Sequence, residues 1–324
     1  MPEVAFVTCA RLPDLDADDR LVIEPLASLG CSVTAVVWDD PAVAWDRFDV
    51  SVLRSTWDYT TRRDEFVRWA RAVPRLLNPA HVVEWNTDKR YLRDLARAGV
   101  SVVPTTWISD AADADLPSKG EYVLKPSVGA GSLDADRFNL ADPASRARAG
   151  AHADALLARG QTVLAQPFAS AIETAGETGV ILIEGELSHA IRKGPMLGPS
   201  AGEEVNGLYK EEMIEGRSAT TEELDVARAA LRAAADVLLL DSPLLYARID
   251  MVPGDDGRPV VMELELTEPS LFMATTPGSE RRFASAIANR ANREAGRAPQ
   301  RSEPGLSRRG WSPDRYAEER ELRA

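Results

Sequence analysis

Short apolar runs alternate with amphipathic stretches over the first 72 residues. Residues 4–9, 32–38 and 49–53 have the composition of strands, the first nearly continuously apolar and the second β-branched and apolar. Residues 18–29 and 62–72 show helical spacing, and Gly30 can end the first of these helices. Strands and helices in alternation predict an open parallel α/β sheet. No G-x-G-x-x-G motif follows the first strand, so a dinucleotide site there is not expected.

The pattern changes from about residue 84 onwards. Capping signals, turn residues and apolar spacing predict a helix over 86–98, strands at 102–108, 122–125 and 162–166, a helix at 141–159, a hairpin over 179–193, a helix over 220–240, strands at 245–252 and 259–266, and a helix at 281–293. These elements predict an α/β domain at residues 1–84, followed by a second domain at 85–290 that mixes strands and helices.

Composition narrows the class of protein. The 324 residues carry a net charge of −13, which argues against a nucleic-acid partner, and no apolar stretch is long enough for a membrane span. Two cysteines and the absence of a secretory signal fit a cytoplasmic protein. Residues 291–324 contain eight Arg and six acids but no Val or Ile, so we expect a flexible tail in which Trp311 and Tyr316 could still dock.

Carboxylates converge on the two predicted strands near the C-terminus. Glu263 and Glu265 alternate onto one face of their strand, and Asp250 can face the same side from its antiparallel neighbour. Three acids at one place repel one another unless a cation lies between them, and Mg²⁺ prefers such oxygen ligands. The pattern alone fits a solvated polar face equally well.

A glycine-rich loop follows the predicted strand that ends at Lys125. Its backbone N–H groups can approach phosphates, and the Lys125 ammonium group would lie near them. Only five of the 38 basic residues are lysines, and the rest are arginines. Lys89 and Lys125 are therefore candidates for positions that need the compact charge of an ammonium group. An ordinary flexible turn is the alternative for this loop.

Another candidate segment is Gln166-Pro167-Phe168, where proline takes the chain out of its sheet. Such a hinge can present its backbone to an adenine edge, and acids such as Glu173 and Glu177 can hold ribose hydroxyls. A plain loop with solvated acids explains this segment, taken alone, more simply.

A pocket for the substrate is expected at the carboxyl end of the third strand. Arg54 offers a planar fork for a carboxylate, and Trp57 and Tyr59 can wall off a small space. Asp14, Asp16 and Asp18 follow the first strand and could receive an ammonium group. The alternatives are a structural salt bridge for Arg54 and a solvated acidic loop for at least two of the aspartates.

Taken in order, these features resemble the ATP-grasp superfamily over roughly residues 84–290, with a preceding α/β segment similar to its Rossmann-like preATP-grasp domain. The resemblance implies that the α+β domain at 85–290 has two lobes and that its central lobe, about 110–168, acts as a lid. Residues 10–19, 53–59, 188–193 and 262–272 most resemble the ligase type that includes the cycloserine-forming O-ureido-D-serine cyclo-ligase. Glu265 stands where many members have Asn. The roles that the resemblance implies are ATP contacts for Lys89, Lys125, Ser127, Gly129, Gly131, Ser132, Gln166, Pro167, Phe168, Glu173 and Glu177, metal binding for Asp250, Glu263 and Glu265, catalysis by Arg192 and Lys125, and substrate contacts for Arg54, Trp57, Asp16, Lys193 and Glu268.

The resemblance also implies a reaction. ATP would convert a small-molecule carboxylate into an acyl phosphate, an amine-type nitrogen would attack it, and ADP and phosphate would leave. Two Mg²⁺ ions, for which Mn²⁺ can substitute, are the implied cofactors, and ring closure and a homodimer are open options. A nucleotide-binding protein without ligase activity and a small-molecule kinase are the alternatives.

Overall fold

The computed structural model describes residues 1–110, 116–195, 203–210 and 213–296. Most of the tail expected at 291–324, including Trp311 and Tyr316, lies outside these residues. The last described helix continues to Glu294 and buries Ala291 completely, so the expected start of the tail at residue 291 is wrong. Within the described ranges, no helix combines the length and the apolar character that crossing a membrane requires.

The N-terminal sheet is parallel, as its buried strands predict. Its strand order is β2-β1-β3-β4, and β1 is paired on both sides. The elements of this part are β1 (Glu3–Thr8), α1 (Ala17–Arg20), α2 (Ile23–Ser28), β2 (Ser32–Val37), β3 (Val50–Leu53), α3 (Arg63–Ala72), β4 (Leu76–Leu77) and α4 (Ala80–Asn86), with 3-10 helices at Trp45–Arg47 and Trp57–Thr61. The single helix expected at 18–29 is therefore two helices.

The central sheet lies within residues 106–167, close to the range 110–168 that was expected for the central lobe. Its order is β5-β8-β6-β7, all antiparallel, and α6 covers one face with a core of its own. The elements are α5 (Tyr91–Arg97), β5 (Thr106–Ile108), β6 (Glu121–Pro126), β7 (Asp136–Asn139), α6 (Pro143–Ala158), β8 (Val163–Pro167) and α7 (Ile172–Ala175). The helix expected at 86–98 begins only at Tyr91, because Asn86 ends α4.

The C-terminal sheet is antiparallel, with the order β13-β10-β9-β14-β15. The expected hairpin is confirmed, and its turn residues Glu184 and Gly185 both have positive φ, as such turns require. The elements are β9 (Glu177–Ile183), β10 (Glu186–Lys193), β13 (Ile214–Arg217), α8 (Thr221–Leu238), β14 (Tyr246–Pro253), β15 (Pro259–Glu265) and α9 (Ser279–Glu294). Between β10 and β13, β11 (Glu204–Val205) and β12 (Tyr209–Lys210) pair as a separate two-stranded sheet.

The first and last parts of the chain share one core. Val4 and Phe6 of β1 belong to the same buried cluster as Ile181 of β9, Tyr246 of β14 and Phe283 of α9. The helix α9 thus returns to the N-terminal sheet, where it packs against α2. Residue 84 is therefore a change in sequence pattern and not a limit of packing. This shared core holds the N-terminal loops against the C-terminal sheet, where the candidate site lies.

Candidate active site

A cavity of about 420 Å³ lies where the three sheets meet. The N-terminal part contributes loop residues that follow its strands, the central sheet contributes the glycine loop and the hinge, and the C-terminal sheet contributes its charged face. The predicted site residues that line the cavity are Asp16, Trp57, Lys89, Lys125, Gly129, Gly131, Ser132, Gln166, Pro167, Phe168, Glu177, Lys193, Asp250, Glu263, Glu265 and Glu268. One cavity therefore brings together most of the predicted site residues, some of which lie more than 250 positions apart in the chain.

The floor of the cavity is built by the β14–β15 pair. Asp250 stands opposite Glu263, and Arg248 stands opposite Glu265, so all four side chains share one face. A β-bulge at Met262 lies directly before Glu263, and bulges commonly redirect side chains beside active sites. The expected convergence of the three acids is thus present in the strand register.

Cations occupy this acidic face. Lys193 Nζ lies 2.8 Å from Asp250 Oδ2 and 3.1 Å from Glu177 Oε1, with all three side chains buried. Arg248 grips Asp250 through Nε and Nη2, at 2.9 Å and 2.8 Å, and also contacts Glu265. Burial raises the pKa of Asp250, but Arg248 and Lys193 outweigh burial and hold that pKa well below its usual range.

The two lysines expected at the ATP phosphates meet at Glu263. Lys125 Nζ lies 2.6 Å from Glu263 Oε1, and Lys89 Nζ lies 3.8 Å from Oε2. Lys89 also donates from Nζ to the Gly129 carbonyl and from its backbone to the Ser127 carbonyl. Burial opposes ionisation of Glu263, yet the two lysines lower its pKa to about 2. The glycine loop and the acidic strand are therefore joined through these ammonium groups.

The carboxylates fit Mg²⁺ in kind, since hard oxygen donors are the ligands this ion prefers. Within the part of the chain that the structure describes, however, no three carboxylate, histidine or cysteine groups are close enough together to hold a metal ion. Asp250, Glu263 and Glu265 each contact an ammonium or guanidinium group instead. The expected metal triad is present as an ion-pair network.

The segment expected to form an adenine hinge, residues 166–168, also lines the cavity. Gln166 is buried and donates to Thr105 Oγ1 at 2.9 Å, and the ring of Phe168 carries the Arg137 guanidinium 3.6 Å from its centroid. Glu173, a ribose candidate, pairs with the same arginine at 2.6 Å and does not line the cavity. Since Glu177 is tied to Lys193, neither acid is placed as a free ribose acceptor.

The structure corrects three of the predicted roles. Arg54 is only 1% exposed and outside the cavity, because it pairs with Asp19 at 2.7 Å and donates to the Pro269 carbonyl at 2.9 Å. Arg192 donates to the carbonyls of residues 174 and 175 and does not line the cavity. Ser127 is buried behind the loop, with its N–H on the residue 162 carbonyl.

Two cavity residues were missed as site residues. Arg248 supplies an arginine at the cavity, whereas Arg192, for which a catalytic role was expected, does not line it. The signal for Arg248 was its position two residues before Asp250 on one strand. The other missed residue is Tyr91, whose hydroxyl accepts a hydrogen bond from the backbone N–H of Leu264 at 3.0 Å. Leu264 is the residue between Glu263 and Glu265 in the sequence. No sequence spacing links Tyr91 to that strand, which is 173 positions away.

Two acids in the cavity hold their protons more tightly than usual. Burial raises the pKa of Glu268 to about 7, and Tyr59 hydrogen-bonds its carboxyl group. Burial also raises the pKa of Glu265 to about 8, since Arg248 is shared with Asp250 and offsets only part of the cost. The face therefore combines fully ionised acids with acids that can carry a proton near neutral pH.

Solved structures with low sequence identity have the same fold. The D-alanine–D-alanine ligase from Bacillus anthracis, complexed with ATP, is 13% identical with a TM-score of 0.59, covering 90% of this chain and 98% of that chain. The ATP-grasp ligase PsnB, complexed with a precursor variant, Mg and ADP, is 18% identical with a TM-score of 0.56, covering 89% and 98%. The fold is that of the ATP-grasp ligases, as the sequence predicted.

Closer relatives define the family. A family model described as the N-terminal domain of D-cycloserine synthetase DcsG matches residues 4–78. The cycloserine biosynthesis protein DcsG of Streptomyces lavendulae is 38% identical over 301 residues, covering 89% of this chain and 98% of DcsG. The crystal structure of D-cycloserine synthetase DcsG has a TM-score of 0.81 at 36% identity, with 89% and 99% coverage. The chain belongs to the DcsG family of ATP-grasp ligases and is an ATP-dependent ligase.

Proposed function

We propose that this ligase uses Mg²⁺ and ATP to activate the carboxylate of an amino-acid-like molecule and closes a ring by attack of a nitrogen of the same molecule. The observation that carries the proposal is the convergence of four cations on one acidic face in a cavity lined by the glycine loop and the hinge. Phosphoryl transfer brings anions together, and such fixed positive charge stabilises them.

The chain's own residues divide the first step between them. A carboxylate oxygen of the substrate attacks the γ-phosphorus, the bond to the bridging oxygen breaks, and ADP leaves. Lys89 and Lys125 lie beside the glycine loop, where they neutralise phosphate oxygens. Arg248 faces the acids from the other side, and its fork suits a carboxylate or a phosphoryl oxygen.

The second step needs a nitrogen nucleophile. The nitrogen attacks the acyl carbon, phosphate leaves, and the nitrogen gives up a proton. With O-ureido-D-serine the ring nitrogen still carries the carbamoyl group, and hydrolysis by one water then releases it as carbon dioxide and ammonia to give D-cycloserine. Asp16, Trp57 and Glu268 line the end of the cavity formed by the N-terminal loops and residues 267–272, and we assign the substrate's nitrogen groups to them. Lys193 contacts Asp250 and Glu177 and belongs to the charged face.

Asp250, Glu263 and Glu265 would hold the metal, which supplies positive charge for the phosphate oxygens. Two ions are expected, for which Mn²⁺ can substitute, and calorimetric titration of each metal in the presence of a nonhydrolysable ATP analogue would count them. A homodimer and a cytoplasmic location stay predictions, and sedimentation equilibrium of the purified protein would test the first.

The test uses O-ureido-D-serine with ATP and Mg²⁺, measuring ADP release and looking for D-cycloserine by mass spectrometry. D-Serine is the matched control, because it keeps the amino and carboxylate groups but lacks the nitrogen that closes the ring. ADP release and D-cycloserine with O-ureido-D-serine alone are the expected result. A stable phosphorylated product with no ring would indicate a kinase, and no ADP release with O-ureido-D-serine would refute the proposed substrate.

A further inference from the structure

One irregular segment of the cavity wall has all of its carbonyls held by side chains. Residues 267–271 follow β15 and have no strand partner, so buried carbonyls there need donors from elsewhere. Tyr246 Oη donates to the Thr267 carbonyl at 2.7 Å, Trp57 Nε1 to the Glu268 carbonyl at 2.9 Å, and Arg54 Nη2 to the Pro269 carbonyl at 2.9 Å. Arg248 Nη1 donates to the Ser270 carbonyl at 2.8 Å, and His189 Nε2 donates to the Leu271 carbonyl at 2.7 Å.

These five donors come from different parts of the fold. Arg54 and Trp57 belong to the N-terminal part, Tyr246 and Arg248 to β14, and His189 to β10. A hydrogen bond from each element fixes the segment in position without any regular structure of its own. The N-terminal sheet and the C-terminal sheet therefore define the position of this wall together.

The wall carries polar groups into the cavity. Glu268 and Ser270 both line it, and Glu268 is 9% exposed. Tyr246 donates a hydrogen bond to the carbonyl of the residue before Glu268, and Arg54 donates to the carbonyl of the residue after it. Trp57 donates to the carbonyl of Glu268. The carboxyl group of Glu268 can therefore move only through its own side-chain torsions, and Tyr59 restricts those.

We propose that these donors are positioning residues that hold the carboxyl group of Glu268 against a nitrogen of the substrate. The hydroxyl of Tyr246, which is buried outside the cavity, therefore contributes to substrate selection. This proposal rests on the proposed function, because it assumes a substrate that carries such a nitrogen. Arg54 then acts on the substrate through the Pro269 carbonyl and not by contact.

The decisive variant is Tyr246→Phe. Tyr246 is fully buried and does not line the cavity, so the change removes a donor without altering any surface that a substrate touches. Its hydroxyl is shared between the Thr267 carbonyl at 2.7 Å and the Leu53 carbonyl at 3.0 Å, and the variant loses both contacts. Loss of one such hydrogen bond should raise the KM for O-ureido-D-serine about tenfold and leave the KM for ATP within about twofold. Trp57→Phe should act in the same direction. Trp85→Phe is the control, because it also loses one indole hydrogen bond, to Asp94, away from the wall.

A second measurement does not depend on the carboxylate substrate. Hydrogen exchange of the protein with Mg-ATP should be at least tenfold faster for peptides covering residues 267–274 in Tyr246→Phe and unchanged there in Trp85→Phe. If O-ureido-D-serine is not turned over by the wild type, the proposed substrate fails, and the exchange result still decides about the wall. Unchanged exchange, or a lower melting temperature of Tyr246→Phe with an unchanged KM, would overturn the proposal.

Discussion

Asp250 and Glu263 are expected to differ in what they contribute to stability, although both are proposed metal ligands. Asp250 is 1% exposed and is the shared partner of Lys193 and Arg248. The side chain of Glu263 is 21% exposed, and its two lysine partners also reach solvent in part. Replacing each acid by its amide keeps the volume and removes the charge, so the two variants report on the same chemistry in different surroundings.

The magnitudes follow from the partners that remain. Breaking a buried ion pair by removing one partner costs about 3–5 kcal/mol when the other charge is left uncompensated. In Asp250→Asn, Lys193 keeps Glu177, and Glu265 can ionise beside Arg248 because the repulsion from the Asp250 charge is gone. We therefore expect the lower end, about 3 kcal/mol. Glu263→Gln leaves partly solvated lysines, and about 1 kcal/mol is expected there.

Urea unfolding at pH 7 measures the difference, and ADP release measures activity. The depressed pKa of Asp250 stabilises the fold fully above the usual aspartate range and loses that effect only as pH falls through the lowered value, so pH 7 is a suitable condition. Both variants should lose Mg-ATP turnover. Equal stability of Asp250→Asn and wild type would refute the assignment of Asp250 as the centre of the ion-pair network.

Three further changes test separate parts of the site. Arg248→Lys should lower kcat for ADP release roughly 100-fold, because lysine lacks the fork, whereas Arg192→Lys should stay within about twofold. Gly131→Ala places a Cβ 2.5 Å from a side-chain carbon of β12 and should raise the KM for ATP about tenfold, unlike Gly150→Ala in open space. Because the pKa of Glu268 is raised to about 7, the free energy of unfolding should fall as pH rises from 5 to 8. Glu268→Gln cannot ionise, so this decrease should be smaller in the variant by up to about 3 kcal/mol, measured by urea unfolding at each pH.

Local sequence motifs predicted an element of the fold well where every residue of the motif was present. The capping box at residue 220 opens α8 as expected, with Thr220 and Glu223 exchanging hydrogen bonds. The helix expected at 18–29 failed at a residue that is visible in the sequence. Pro25 has no N–H to donate and fits only the first turn of a helix, so α2 starts at Ile23 and the chain breaks before it.

The role of Arg54 could not be read from the sequence for a different reason. Its position at the end of β3 is where ligands commonly bind in α/β folds. The chain instead brings Pro269, 215 positions away, into hydrogen-bond distance and closes the opening over the guanidinium. The rings of Tyr246 and Phe283 complete its surroundings at 5.4 Å. Only packing between distant segments decides whether such an arginine faces a ligand or the interior.

The neighbours Arg192 and Lys193 show how a single residue decides which cation enters the site. Side chains alternate along a strand, so only one of the two can face the acids. A β-bulge at Ser188 shifts the pairing of β10 with β9, so that residue 189 follows residue 187 in register. Because one inserted residue exchanges the two faces, the bulge turns Lys193 towards Asp250 and Arg192 towards the carbonyls of residues 174 and 175 at the end of α7. The guanidinium at the acidic face then comes from Arg248, two positions before Asp250 on β14.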